Sequence, residues 1–347
     1  MNIEPFTWHD AATLTIAGKG WPDESRQYER LPRRAKGLIP PKPWQQSLHP
    51  AGLSVRFTTN APMIHARWID YDGRRALNQS GANALALYVR WKGRWTWVGT
   101  SKQIGKGPAY RLLHESVPAT SKSYLLYLPA RGVRRLEIGI PCGAWIRPSK
   151  PSRAKPIVFY GTSIVQAGGV SRPGNGHVSM IERHFDCPVI NLGFSGSGRM
   201  EPEVVRLVSE LDARVFVIDC LPNMVAGEVA ERFEPAVRIL RNDHPDTPIM
   251  VVDSVPYEDG FLVRSRRERY LSSNRVQRAA FLRLQRGAVK GLHYVEASGL
   301  IGSDNDATID GTHPNDLGYR RIADRLIRAL EPVLTASGAV VPFKLIL

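Results

Sequence analysis

The sequence predicts an α/β protein of two domains. Residues 1–150 read as an all-β sandwich, and residues 151–347 as a parallel five-stranded sheet covered by helices on both faces. Three observations carry this. Short runs with Gly and Pro turns fill residues 53–140 without a convincing helical pattern. Beyond residue 156, strand-like and helix-like runs alternate to the C-terminus. The charge divides at the same place: residues 1–150 hold 23 Lys and Arg against 9 Asp and Glu, residues 151–347 hold 24 against 23. All 8 Trp lie in the first part. A split this sharp argues for two domains with different tasks.

Taken in order, residues 1–50 read as irregular, because Pro32, Pro40, Pro41, Pro43 and Pro50 interrupt any long element. Strand patterns follow at Leu53–Thr58, Met63–Ile69, Ala84–Trp91, Trp95–Val98, Tyr124–Leu128 and Val133–Ile140. The turn Lys92-Gly93-Arg94 marks a hairpin. The polar, proline-rich stretch Arg147–Pro156 reads as a linker. After it, strands are expected at Ile157–Tyr160, Pro188–Leu192, Val215–Cys220, Ile249–Asp253 and His293–Glu296. Helical patterns lie at about Gly176–Phe185, Glu201–Leu211, Glu228–Asn242, Arg264–Lys290 and Asn315–Leu334. The eight arginines between Arg264 and Arg286 read as a solvated helix face, with Leu271, Val276, Phe281 and Leu284 turned inward.

Composition narrows the function classes. Hydrophobic residues at 43% and charged residues at 23% describe an ordinary globular chain. No apolar run approaches the roughly 20 residues that span a bilayer. Met1–Pro5 lacks a basic start before an apolar core, so the default expectation is cytoplasmic, or secreted or periplasmic if a leader preceded it. Cys142, Cys187 and Cys220 lie far apart and read as buried thiols. Phosphate-binding and dinucleotide-binding glycine motifs are absent, and no His shows metal-ligand spacing. No metal or cofactor is expected.

Four stretches carry chemistry, each just beyond a predicted strand, where open α/β sheets bind ligands. Gly161-Thr162-Ser163 follows the first and offers a serine as candidate nucleophile. Around Gly196, the glycine-rich run Asn191–Gly198 follows the second, where a backbone N–H can approach a developing oxyanion. Asn223 follows the third with a side-chain amide. Asp310-Gly-Thr-His313 precedes the last helix, and an Asp three residues ahead of a His can fix its tautomer and stabilise its charged form. Each alone is an ordinary turn residue or helix cap. Their joint occurrence is far more specific.

Together these blocks resemble the SGNH (GDSL-type) hydrolase family. The resemblance implies Ser163 as nucleophile, His313 as general base and then acid, and Asp310 as its orienting partner. It implies an oxyanion hole from the N–H groups of Ser163 and Gly196 and the amide of Asn223. It also implies a flavodoxin-like three-layer αβα catalytic domain and a jelly-roll-like sandwich before it. The wording departs from the common pattern, with Gly-Thr-Ser for Gly-Asp-Ser and Leu-Pro-Asn-Met for Gly-x-Asn-Asp. The first change spares the nucleophile; the second removes a Gly and an Asp beside Asn223. Asn191–Glu203, Asp219–Met224 and Ser171–Gly174 look like a bacterial two-domain subfamily whose sandwich carries Gly-x-Asp-Leu-Tyr. Here that signature is degraded to the run Gly81–Tyr88, without its Asp.

The expected activity is therefore a serine esterase acting on small acyl groups, acetyl above all, on a carbohydrate. A lysophospholipase or thioesterase, or a non-catalytic polyanion-binding protein, are the alternatives. No apolar lid is evident in the loops after the strands, so long acyl chains are expected to be poor substrates. The expected partner is a small-molecule or polysaccharide ester, with an anionic polymer as candidate ligand of the basic sandwich and neither nucleic acid nor membrane involved. Tryptophans in a sandwich are first expected in its core.

Overall fold

The computed structural model describes residues 6–69, 81–103, 110–113 and 118–336. They divide into two compact units: one of Met1–Arg33, Leu48–Arg153 and Ser171–Gly174, the other of Arg34–Ser47, Ala154–Val170 and Asn175–Leu347. Each unit thus borrows a short stretch from the other's part of the sequence.

The first unit is an antiparallel sandwich. Its strands are β1 (Phe6–Asp10), β2 (Thr15–Ala17), β3 (Ser54–Thr59), β4 (Ile64–Ile69), β5 (Ala86–Trp91), β6 (Arg94–Thr100), β7 (Lys102–Gln103), β8 (Tyr110–Leu113), β9 (Lys122–Tyr127), β10 (Arg135–Pro141) and β11 (Ile146–Pro148). One sheet runs β1-β10-β4-β8-β7 and the other β11-β3-β9-β5-β6, with β2 on β3. Alternate residues of both sheets, Ile64, Ala66, Leu136 and Ile138 from one and Val55, Phe57, Leu87 and Leu126 from the other, share one apolar core. The β5–β6 hairpin closes through Lys92 and Gly93, both at positive φ (44° and 77°), as a two-residue turn requires.

Residues 6–50 are more ordered than the proline count implies: β1 and β2 join the sheets, and Pro41–Ser47 forms a helix, α1. Proline is tolerated in a helix's first turn, so Pro41 and Pro43 start this one rather than prevent it. Strand β11 also takes Arg147 and Pro148, expected in the linker, by pairing with Phe57 and Thr58. Only Trp21 and Trp68 of the eight tryptophans are buried, while Trp91 and Trp97 are 56% and 45% exposed. The core is filled by aliphatic residues and Tyr instead, and arginines stack on the outward rings: Arg67 on Trp8 at 4.3 Å, Arg172 on Trp97 at 4.7 Å. Cys142 is exposed, not buried; Cys187 and Cys220 are buried, and all three are free thiols.

The second unit holds β12 (Ile157–Gly161), β13 (Val189–Gly193), β14 (Val215–Asp219), β15 (Ile249–Val252) and β16 (Leu292–Val295) in one parallel sheet, ordered β13-β12-β14-β15-β16. This 2-1-3-4-5 order is the flavodoxin-like arrangement. Its helices are α2 (His177–Phe185), α3 (Pro202–Ser209), α4 (Ala226–Asp243), α5 (Arg264–Arg286) and α6 (Asp316–Ala336). Helix α2 packs on α6, while α3, α4 and α5 pack in series, giving the two outer layers. Strand β12 lies between β13 and β14 with all five residues buried, and its large side chains contribute about 2 kcal/mol each. The strand order reverses at β12, so the crevice beyond its carboxyl end is the expected ligand position.

Helix α5 buries a stripe other than the one the apolar pattern implies. Ser273, Asn274, Gln277, Ala280, Phe281 and Leu284 face inward, while Leu271 and Val276 are only half-buried. The polar members have partners: Asn274 bonds both the N–H and the C=O of Ser254, and Gln277 donates to the Val252 carbonyl at 3.1 Å. They satisfy the backbone where β15 ends.

Candidate active site

Beyond Gly161 the chain turns at once. Thr162 is fully buried, and its carbonyl accepts the Gln166 N–H at 3.0 Å. The Ser163 carbonyl accepts from Gly168 at 2.9 Å, so the serine is fixed by the turn's own backbone. Only 8% of Ser163 is exposed. Its Oγ lies 2.9 Å from His313 Nε2.

The loop carrying His313 is closed by a bridge between Thr308 and Pro314, with the Ile309 N–H donating to the His313 carbonyl at 2.9 Å. Asp310 Oδ2 is 2.7 Å from His313 Nδ1, while Oδ1 accepts the backbone N–H groups of His313 and Thr312 at 2.8 and 3.0 Å. Partial burial pushes the Asp310 carboxyl up, but these hydrogen bonds outweigh it and hold it below the ordinary aspartate range. The ionised carboxylate accepts the Nδ1 proton, which leaves Nε2 free to accept from Ser163. Asn315 then caps α6, its Oδ1 accepting from Leu317 and Gly318 at 2.9 and 3.1 Å.

The glycine turn after β13 packs against the end of β12. The Phe194 N–H donates to the Gly161 carbonyl at 2.9 Å, and a Cβ on Gly198 would meet that oxygen at 1.9 Å, which only glycine avoids. Gly196 has φ +65°, the left-handed conformation. Among the described residues neither the Ser163 nor the Gly196 N–H has an acceptor, so both are available to a ligand. Asn223 ends a short 3-10 turn, and its amide donates to the Ser197 carbonyl. One of its two N–H groups is therefore used in holding the glycine turn, leaving the other for a ligand.

Several supporting residues carry no sequence signal of their own. Glu201 is buried and gathers the turn: it accepts from Tyr160 at 2.5 Å, from the Ser197 hydroxyl at 2.8 Å and from the Arg199 N–H at 2.7 Å. Gln166 accepts from the Ser195 N–H at 2.8 Å. Glu258 holds the His313 loop through the Ala307 N–H at 2.8 Å and the Thr308 hydroxyl at 2.5 Å. Arg266 pairs with Asp259 and donates to Thr312 Oγ1 at 2.6 Å. Asp219 ends β14 beside Gly161; its carboxyl makes no hydrogen bond or ion pair among the described residues, and burial pushes its pKa up to about 7. Among the described residues no group of three or more His, Cys, Asp or Glu is placed to hold a metal ion.

No apolar lid is evident from the sequence, yet the segment after β15 carries exposed apolar side chains. Phe261 and Leu262 are 68% and 78% exposed, and Val263 and Ile309 are exposed as well. They flank the Asp310–His313 loop, since the Glu258 N–H donates to the Gly311 carbonyl at 2.9 Å.

A serine–imidazole–carboxylate line at the switch point of a flavodoxin-like sheet is the arrangement that serine hydrolases use. The sequence model of the GDSL-like lipase/acylhydrolase family matches residues 154–331, and that of the N-terminus of SGNH-type esterases (GxDLY) matches residues 6–146. The chain belongs to the GDSL-like lipase/acylhydrolase family. It is similar to a structure described as a GDSL-like lipase from Bacteroides ovatus, with 33% identity and a TM-score of 0.89, covering 95% of this chain and 98% of that one. The fold is also that of the salicylyl-acyltransferase SsfX3 from a tetracycline biosynthetic pathway, at 18% identity and a TM-score of 0.74, over 94% and 97% of the two chains. An acetyl xylan esterase from the rumen bacterium Butyrivibrio proteoclasticus shares it at 11% identity and a TM-score of 0.56, over 95% and 99%. A sequence search of curated proteins returned no match.

Proposed function

We propose that the protein is a serine esterase that removes small acyl groups, acetyl first, from a carbohydrate through an acyl-enzyme. The observation that supports it is the continuous line from Ser163 Oγ through His313 to Asp310, at 2.9 and 2.7 Å. Neutral His313 takes the Ser163 proton at Nε2 as Oγ attacks the ester carbonyl carbon, and Asp310 stabilises the resulting imidazolium. The negative oxygen is met by the N–H groups of Ser163 and Gly196 and the second N–H of Asn223. The alcohol leaves with the proton from Nε2, and water, deprotonated by the same nitrogen, releases the acid from Oγ. The carbohydrate alcohol rests on fold likeness to carbohydrate esterases, which is an analogy.

One observation favours a second reading. The exposed Phe261, Leu262 and Val263 offer apolar surface that a longer acyl chain can cover, as in a lysophospholipase or thioesterase. A panel of p-nitrophenyl esters of graded chain length tests both. Acetyl and propionyl esters are expected to be cleaved fastest, and Ser163→Ala to lose on the order of 10⁴ to 10⁶ in turnover while folding normally. A variant keeping more than about a tenth of the rate removes Ser163 from the mechanism. Faster cleavage of octanoyl than acetyl esters moves the function to the second reading.

A further inference from the structure

The stretch Arg34–Ser47 precedes most of the sandwich in sequence yet belongs to the compact unit of the parallel sheet. It is anchored there by the Arg34 guanidinium, which makes two parallel bonds to the Glu210 carboxylate at 3.0 and 2.5 Å, and further along it Pro43 and Ser47 are buried. Between these anchors α1 carries Lys42 to the glycine turn. A Cβ built on Gly196 would lie 2.5 Å from Lys42 Nζ and 2.8 Å from its Cε, so the ammonium rests where a side chain at 196 would begin. The φ of +65° is what calls for glycine at 196, and the end of the flexible Lys42 side chain lies in the space beside it.

Among the described residues this ammonium has no counter-charge. Lys155 pairs with Asp212, and Lys19 and Lys122 donate to backbone carbonyls, but among the described residues Lys42 has neither an ion pair nor a hydrogen bond. It lies beside Gly196, whose N–H has no acceptor among the described residues. An exposed lysine on a flexible stem is poorly preorganised to stabilise an oxyanion, which needs fixed dipoles. It is well suited to meet a fixed negative group on a bound substrate. An ammonium binds a carboxylate as a point charge, without the bidentate geometry that an arginine fork imposes.

We propose that Lys42 is a specificity-determining residue that binds a carboxylate on the substrate next to the scissile ester, so that the carbohydrate is an acidic one, an O-acylated uronic acid. The inference rests on the esterase reading of the Ser163 site for its chemistry but not for its binding geometry. Binding to the full-length Ser163→Ala variant, followed by NMR titration, tests it without turnover. The probes are mono-O-acetylated methyl galactopyranosiduronate and its uncharged counterpart, mono-O-acetylated methyl galactopyranoside.

The uronate is expected to bind more tightly, by about fivefold at low salt, the upper end for a solvent-accessible ion pair. Lys42→Ala should bring that ratio close to one, Lys42→Glu should reverse it, and Lys42→Arg should largely keep it. Lys42 is exposed, so these variants leave the core untouched. Equal binding of the two probes, or a preference that survives Lys42→Ala and Lys42→Glu, overturns the proposal. A Lys42-dependent preference in binding, with no hydrolysis of either probe by the unmodified enzyme, leaves Lys42 in place and removes the esterase reading instead.

Discussion

Arg266 donates a hydrogen bond to Thr312 Oγ1 at 2.6 Å, so a residue of the arginine-rich helix holds the loop that presents His313. The same guanidinium pairs with Asp259, whose neighbour Glu258 binds the start of that loop. The imidazole's position is set by the segment between β15 and α5 as much as by Asp310.

Arg266→Ala should therefore lower kcat on an acetyl ester about fivefold to tenfold with little change in KM, because the loss is one of positioning rather than of substrate contact. Stability should fall by only about 1 kcal/mol, since the pair is partly exposed. Arg266→Lys should recover part of kcat. An unchanged kcat in the alanine variant refutes this role.

The pH dependence follows from Asp310. Hydrogen bonds hold its carboxyl below the ordinary range, so it stays ionised through neutral pH and keeps accepting the Nδ1 proton. A general base works only in its unprotonated form, so activity should rise with pH; a rate flat from about pH 5 to 9 with chemistry limiting excludes His313 as base. For stability the sign is the usual one for a depressed carboxyl. Its contribution is present above the unfolded aspartate range, about pH 4, and is lost as pH falls through the folded value. Asp310→Asn should cost on the order of 10⁴ in kcat by losing the tautomer.

Asp219 has the opposite sign. Burial raises its pKa to about 7, so ionisation opposes folding. Below about pH 4 both folded and unfolded states are protonated and the group is neutral in its effect. Between there and pH 7 the unfolded state ionises first and stability declines. Asp219→Asn should thus stabilise the protein progressively from pH 4 to pH 7, by a few kcal/mol at most, with no further gain above. Chemical denaturation across that range measures it; a pH-independent difference rules it out.

The basic sandwich should attract acidic polysaccharide. Arg172 over Trp97, with Arg56 and Arg90 over Trp95, places cations on the sandwich beside aromatic rings. Binding to the full-length Ser163→Ala variant should weaken steeply from about 50 to 500 mM salt and further on Trp97→Ala. The full chain is the right material, because Ser171–Gly174 belongs to the sandwich unit. Equal binding of neutral and acidic polymers would leave the charge as surface solvation.

Much of this molecule is written in local sequence. The five parallel strands and five following helices fall within a few residues of their apolar patterns, because a strand buried on both faces must be almost wholly apolar and a covering helix must keep its stripe. Ser163, Gly196, Asn223, Asp310 and His313 could be named because their stretches occur together, at strand ends and before the last helix, in a pattern that resembles the SGNH family. Tertiary structure alone decided that Ser163 Oγ and His313 Nε2, 150 positions apart in sequence, meet at 2.9 Å, and that Glu201, Glu258 and Arg266 hold the loops around them. It also decided that Pro41–Ser47 is a helix bringing Lys42 to Gly196, and that Phe261 and Leu262 lie exposed. The physical reason is that periodicity reports which way a side chain faces within its own element. Which distant group it meets depends on the packing of elements far apart in the chain, and no local pattern records that.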